Sequence, residues 1–128
     1  AGAPAGAGVI VDAIHLDRSG GTASDLDAIA DPEWGWFQVN DAPAQRPASQ
    51  DELLFQAREA RLVPGQGGLD LRGMLRRLPH GTVVSIECPL QHAPAPVERA
   101  RLLREATGAL LREVGRRPLR DLPTKAHA

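Results

Sequence analysis

Three stretches of the chain carry strand-type patterns, and helical patterns lie between and after them. Val9-Ile10-Val11-Asp12-Ala13-Ile14 is a β-branched run with no charge before Asp12. Continuous apolar runs of this length are typical of parallel strands covered on both faces. Arg18-Ser19-Gly20-Gly21-Thr22 breaks the run, and Ser24 is placed to cap a short helix over Asp25 to Ile29, with Pro32 just beyond its end. Trp34 to Asn40 predicts a second strand, followed by a long polar loop rich in Pro, Ala and Gln. Asp51 to Ala60 has helical spacing, with Leu53, Leu54 and Ala57 on one face. Pro64-Gly65-Gln66-Gly67-Gly68 then enforces a loop. Leu69 to Leu78 reads as a helix with Leu71, Met74, Leu75 and Leu78 on one side. Thr82 to Cys88 is the third strand, closed by Pro89. The longest helix runs from Pro96 to Val114, with an apolar stripe of Ala100, Leu103, Ala106, Leu110 and Val114.

Strands alternating with helices predict βα units on a parallel sheet, an α/β fold. Ala1 to Gly8 is all Ala, Gly, Pro and a valine-free lead into the first strand, and reads as a linker or loop. The tail from Arg116 to Ala128, with Pro118 and Pro123, reads as irregular. Side chains alternate along a strand, so Ile10, Asp12 and Ile14 share one face, as do Trp36, Gln38 and Asn40, and Val83, Ser85 and Glu87. The opposite faces, with Val11, Phe37, Val39, Val84, Ile86 and Cys88, are the apolar ones expected to meet the helices. Asp12, Gln38 and Glu87 thus fall near the C-terminal ends of three strands, the end where active sites of parallel sheets are built. Two readings remain open at this point. A buried carboxylate is costly without compensation, and a hard divalent cation such as Mg or Mn compensates oxygen donors well. A strand-end Asp or Glu also serves as a helix cap or a loop partner.

Composition narrows the classes. The 128 residues carry 15 basic and 16 acidic side chains, a net charge of -1, so nothing favours nucleic acid or a membrane surface as partner. No apolar stretch approaches the roughly 18 residues of a spanning helix. One cysteine, Cys88, excludes an internal disulfide and a cysteine-rich zinc site, and points to an intracellular, cytoplasmic protein. Parity places Cys88 on the helix side, as a packing residue. Pro64 to Gly68 lacks the Lys and Ser/Thr of a phosphate-binding P-loop. His80, His92 and His127 fall in turns or the tail and read as surface residues; Arg58 reads as part of a solvated helix face. Asp41 is placed to cap its loop or to support Gln38.

Four motifs in order resemble one family. Asp12-x-x-His15 with Arg18-x-Gly20, then Phe37-Gln38-Val39-Asn40-Asp41-Ala42, then Glu59 to Gly67, then Ser85-Ile86-Glu87-Cys88-Pro89 look like the xylose-isomerase-like TIM-barrel superfamily, the sugar phosphate isomerases/epimerases and family 2 AP endonucleases. The resemblance spans roughly Val9 to Val114. It implies the C-terminal portion of a (β/α)8 barrel, with residues 1–128 a single partial domain of about three parallel strands and flanking helices. It further implies a Mn or Mg ion held by Asp12, Gln38 and Glu87, with Glu87 also moving a proton beside a metal-bound carbonyl. His15 and Arg61 are then the substrate-binding residues, for a small polyhydroxylated substrate such as a sugar phosphate of carbohydrate metabolism. The family's first Glu ligand has no counterpart in this sequence. Gln38 stands where the sugar epimerases usually have His, as in the 3-dehydroshikimate dehydratase branch, so a lyase is the alternative; a catalytically incomplete module acting in assembly is another. Three strands of eight leave apolar edges, so the remainder of the barrel or another copy of the chain is the expected protein partner.

Overall fold

The computed structural model describes residues 4–117. Strand β1 (Val9–Asp12) passes directly into helix α1 (Ala13–Arg18). Two 3-10 segments, Ala23–Ala28 and Asp31–Glu33, lead to β2 (Trp34–Val39). Helices α2 (Gln50–Glu59) and α3 (Leu71–Arg77) precede β3 (Val83–Ile86), and α4 (Pro96–Glu113) follows it. The strands form one sheet in the order β1-β2-β3, parallel throughout. The α/β expectation and its element order are therefore what the chain adopts. His127 and the tail beyond residue 117 lie outside the described residues. Among the described residues no helix is long and apolar enough to cross a membrane.

Three local expectations need correction. The first strand was expected to run to Ile14, but it stops at Asp12. The Asp12 carboxylate accepts the backbone N–H groups of Ile14 and His15, so it caps a helix that starts at Ala13. The helix expected over Asp25–Ile29 is a 3-10 segment over Ala23–Ala28, and its cap is Thr22 rather than Ser24. Asp25 reaches back to the Thr22 backbone N–H at 2.6 Å, which also holds the Asp25 carboxyl below the usual carboxylate range. Finally, α2 buries no residue fully: Leu54 and Phe55 are exposed, and only Leu53 and Ala57 of the expected face are half-buried.

The core lies on the helix-facing side of the sheet. Phe37 and Val39 are fully buried there, against Leu71, Met74 and Leu75 of α3 and Leu110 of α4. Asp70 caps α3 by accepting the Gly73 N–H at 2.9 Å, and Pro96 opens α4, where its missing N–H costs nothing. Among the described residues the other face is open toward the strand starts. Ile10, Trp36 and Val83 stand side by side across the three strands and are 46%, 41% and 58% exposed.

Candidate functional site

The parallel register brings the strand-end residues into rows. Asp12 pairs with Gln38, and Gln38 with Ser85. Glu87 lies two residues past Ser85, on the same side by alternation, and its N–H donates to Val39 O at 3.2 Å. Asp12, Gln38 and Glu87 thus share one face at one end of the sheet. Asp12 is buried, Gln38 half-buried and Glu87 exposed. Burial falls across the three strands, from Asp12 under the Arg61 side chain to Glu87, whose side chain is open.

Asp12 is the most constrained of the three. Its Oδ1 accepts from Ile14 N at 3.1 Å, His15 N at 3.4 Å and Asn40 Nδ2 at 3.1 Å. Asn40 is fully buried, and its own Oδ1 accepts from Ile14 N at 3.1 Å, so one amide locks both the cap and the carboxylate. The Asp12 Oδ2 accepts from Arg61 Nη1 at 2.7 Å, an ion pair in which both side chains are nearly buried. The helix-cap reading of Asp12 is therefore realised in the structure.

Arg61 reaches this position because its backbone is tied across the strand ends. Asp41 and Leu62 form an antiparallel bridge, and Arg61 N donates to Pro89 O at 3.0 Å. The guanidinium then bonds Asp12, Ala57 O at 2.7 Å and Glu87 O at 2.9 Å, with His15 Nε2 at 3.5 Å from Nη2. The four residues Asp12, His15, Arg61 and Glu87 are brought together, the last through its backbone carbonyl. His15 itself is exposed on α1.

Two supports escaped the sequence reading. Parity puts Asn40 on the site face, but its partners are 26 and 28 residues away in sequence, which no local pattern reveals. Arg18 is buried, with its guanidinium on Gln56 Oε1 at 2.9 and 2.8 Å, on Pro43 O at 2.7 Å and on Asp17. It ties α1 to α2 beside the site. Asp41 supports its loop, not Gln38: it accepts four backbone N–H groups, from Ala42, Gly65, Gly67 and Leu69. Cys88 packs with Val63 and Leu103, and burial pushes its thiol up to about 11. His80, His92 and Arg58 are exposed.

Among the described residues no group of three or more His, Cys, Asp or Glu forms a metal-holding cluster. The donors present are two carboxylates and one amide, all oxygen ligands, which suit a hard divalent cation. Asp12 Oδ2, Gln38 and Glu87 fit such an ion in donor type, with the Arg61 guanidinium as a competing cation on Asp12.

No protein-family profile and no curated protein matches the chain. Solved structures do. A xylose isomerase domain protein from Alicyclobacillus acidocaldarius subsp. acidocaldarius is 25% identical with a TM-score of 0.62, over 84% of this chain and 38% of that one. The IolI protein with a bound zinc atom is 19% identical, again with TM-score 0.62, 84% of this chain and 38% of its own. A fusion of a xylose isomerase-like TIM barrel with 4-hydroxyphenylpyruvate dioxygenase is 25% identical with a TM-score of 0.59, over 90% of this chain and 20% of that one. The chain spans well under half the length of each. Its three parallel strands and flanking helices are the architecture of part of a xylose isomerase-like TIM barrel.

Proposed function

We propose that the chain carries part of the active centre of a divalent-metal-dependent isomerase or epimerase, acting on a small polyhydroxylated substrate such as a sugar phosphate by proton transfer beside a carbonyl. The observation that carries this reading is the register pairing of Asp12 with Gln38 at the C-terminal ends of adjacent parallel strands, with Glu87 two residues beyond Ser85, the partner of Gln38 on the third. Oxygen donors of this kind favour Mn or Mg; the zinc in one structural neighbour belongs to that protein, and supports a divalent ion in general. When bound, such an ion polarises a carbonyl and its neighbouring hydroxyl. The side chains of this chain do the rest. Glu87, exposed and free of the pairing that fixes Asp12, takes and returns the proton at the carbon beside the carbonyl. His15 and the Arg61 fork, 3.5 Å apart, hold substrate oxygens. Asn40 keeps Asp12 aimed. The remaining wall of the barrel, or a second copy of the chain, completes the pocket around Glu87, and a reducing compartment such as the cytoplasm suits the free Cys88 thiol.

Gln38 favours a second reading. It resembles the dehydroshikimate dehydratase branch, in which a cyclic hydroxy-ketone acid loses water. The two separate in one assay. The chain within its complete barrel is incubated with Mn in D2O and a panel of ketoses, sugar phosphates and cyclic hydroxy-ketone acids, and products are read by proton NMR. Deuterium at the carbon beside the carbonyl, with epimer or isomer formed, is the expected result. Net water loss identifies the lyase. Absence of both across the panel rejects the enzyme reading and leaves the assembly module.

A further inference from the structure

We propose that Arg61 is the resident counter-cation of Asp12 and gates the binding of a divalent ion: the ion and the guanidinium compete for a single carboxylate oxygen. The inference rests on the metal reading above. Oδ1 of Asp12 is already taken by three donors, Ile14 N, His15 N and Asn40 Nδ2. Two of these are the opening turn of α1 and the third is a fully buried amide, so Oδ1 cannot turn outward without unwinding the helix start. Oδ2 is the oxygen left for a cation, and Arg61 Nη1 sits on it at 2.7 Å. The pair is 6% and 7% exposed, so water screens little of its attraction, or of the repulsion an entering dication would feel.

The other acceptors of the guanidinium are neutral. Nε donates to Ala57 O at 2.7 Å and Nη1 to Glu87 O at 2.9 Å. These carbonyls anchor the side chain while its charge is balanced by Asp12. When an ion takes Oδ2, the fork loses that partner and keeps its anchors. The Nη1–H it frees, on the fork whose Nη2 lies 3.5 Å from His15 Nε2, is then available to substrate oxygens. Loading of the ion and readiness of the arginine for substrate oxygens become one event, and the coupling is reciprocal.

The test measures free Mn by electron paramagnetic resonance against the 128-residue chain, its Arg61→Gln variant and its Asp12→Asn variant. Arg61→Gln is expected to bind Mn about tenfold more tightly than the parent, within the usual range of site–site coupling, and Asp12→Asn to bind it more weakly. If Asp12→Asn loses affinity but Arg61→Gln gains none, the gate is overturned and the metal reading stands. If Asp12→Asn binds like the parent, the metal reading falls and the gate with it. Should either variant fail to fold by circular dichroism, the parent decides: Mg is titrated into 15N-labelled chain and the Arg61 Nε–Hε signal followed. It is expected to shift in step with the Asp12 amide. A stationary Arg61 signal while the Asp12 amide moves overturns the gate, and no movement anywhere overturns both.

Discussion

Four backbone N–H groups converge on the Asp41 carboxylate, which is 1% exposed. Three of them come from the glycine-rich loop that follows Arg61, so one acidic side chain fixes the segment that carries the guanidinium. Asp41→Ala leaves those donors without an acceptor, and each buried unmet donor costs on the order of 1–3 kcal/mol. The variant is expected to lose at least about 3 kcal/mol by urea denaturation on the same grounds, while Asp41→Asn, which keeps one oxygen, loses less. Cys88 gives a pH signature. Burial raises its thiol from the ordinary 9.0 to about 11, against the opposing pull of Arg61. A group protonated more tightly in the folded state contributes stability that is full below its unfolded pKa and disappears as pH rises through the folded one. Stability should therefore fall between about pH 9 and 11, and Cys88→Ala should flatten that decline in denaturation curves taken at successive pH values. The side of the sheet Cys88 faces was legible from parity along its strand. That Asp41 serves its loop and that Asn40 holds Asp12 was not, because their partners are 24 or more residues away, save Ala42 beside Asp41.

The junction of β1 and α1 shows where sequence patterns stop being enough. Val9 to Ile14 is apolar at every position except Asp12, and a strand pattern runs through it. The carboxylate decides the matter by accepting two N–H groups ahead of it, which starts a helix at Ala13 and leaves Ile14 fully buried. Asp12→Asn keeps an acceptor for the cap but loses the charge opposite Arg61; Asp12→Ala loses both. Both variants should be destabilised, because a buried guanidinium left unpaired costs on the order of 3–5 kcal/mol. The alanine variant should be worse by about 1 kcal/mol, the usual worth of a cap, and paired urea midpoints measure the difference. The glycine loop makes the opposite case. Its turn was legible from Pro64-Gly65 onward, and the structure adds the reason for Gly67. A Cβ there would lie 2.4 Å from both Ala42 O and Asp41 Oδ1. Gly67→Ala should cost about 1–3 kcal/mol, the range for forcing atoms into filled space, and loosen Arg61 with it. α4 was legible almost to the residue because eighteen residues from Pro96 onward repeat at helical spacing. The 3-10 segment was not: a span of six residues offers too few turns for periodicity to separate it from an α-helix.

At the scale of the molecule, the arrangement is one layer short. Helices cover one face of the sheet, whereas the row Ile10, Trp36 and Val83 lies open on the other, and β1 and β3 are both edges. Along the edge of β3 a cleft runs between Val83, Ile86 and the α4 residues Thr107 and Leu111, and the buried Thr107 hydroxyl has no hydrogen-bond partner there. The parallel direction could be read from three strand-type runs separated by helices, but nothing in those runs says what lies against their second face. The structural neighbours supply the physical answer, since 38% of a barrel's chain aligns with 84% of this one. In a closed barrel such inner-face side chains pack in layers against those of other strands, and no edge remains. An exposed parallel edge with an apolar face is a template for another chain. The 128-residue chain by itself is expected to self-associate through these surfaces, which sedimentation velocity reads. Lysines at Trp36 and Val83 place charge on the open face without touching Phe37 or Val39 beneath it. The double variant Trp36→Lys, Val83→Lys should therefore shift the chain toward monomer while keeping its helix content by circular dichroism. A parent chain that sediments as a monomer would show that the open face and edges are stable in water, and the need for a covering partner would be gone.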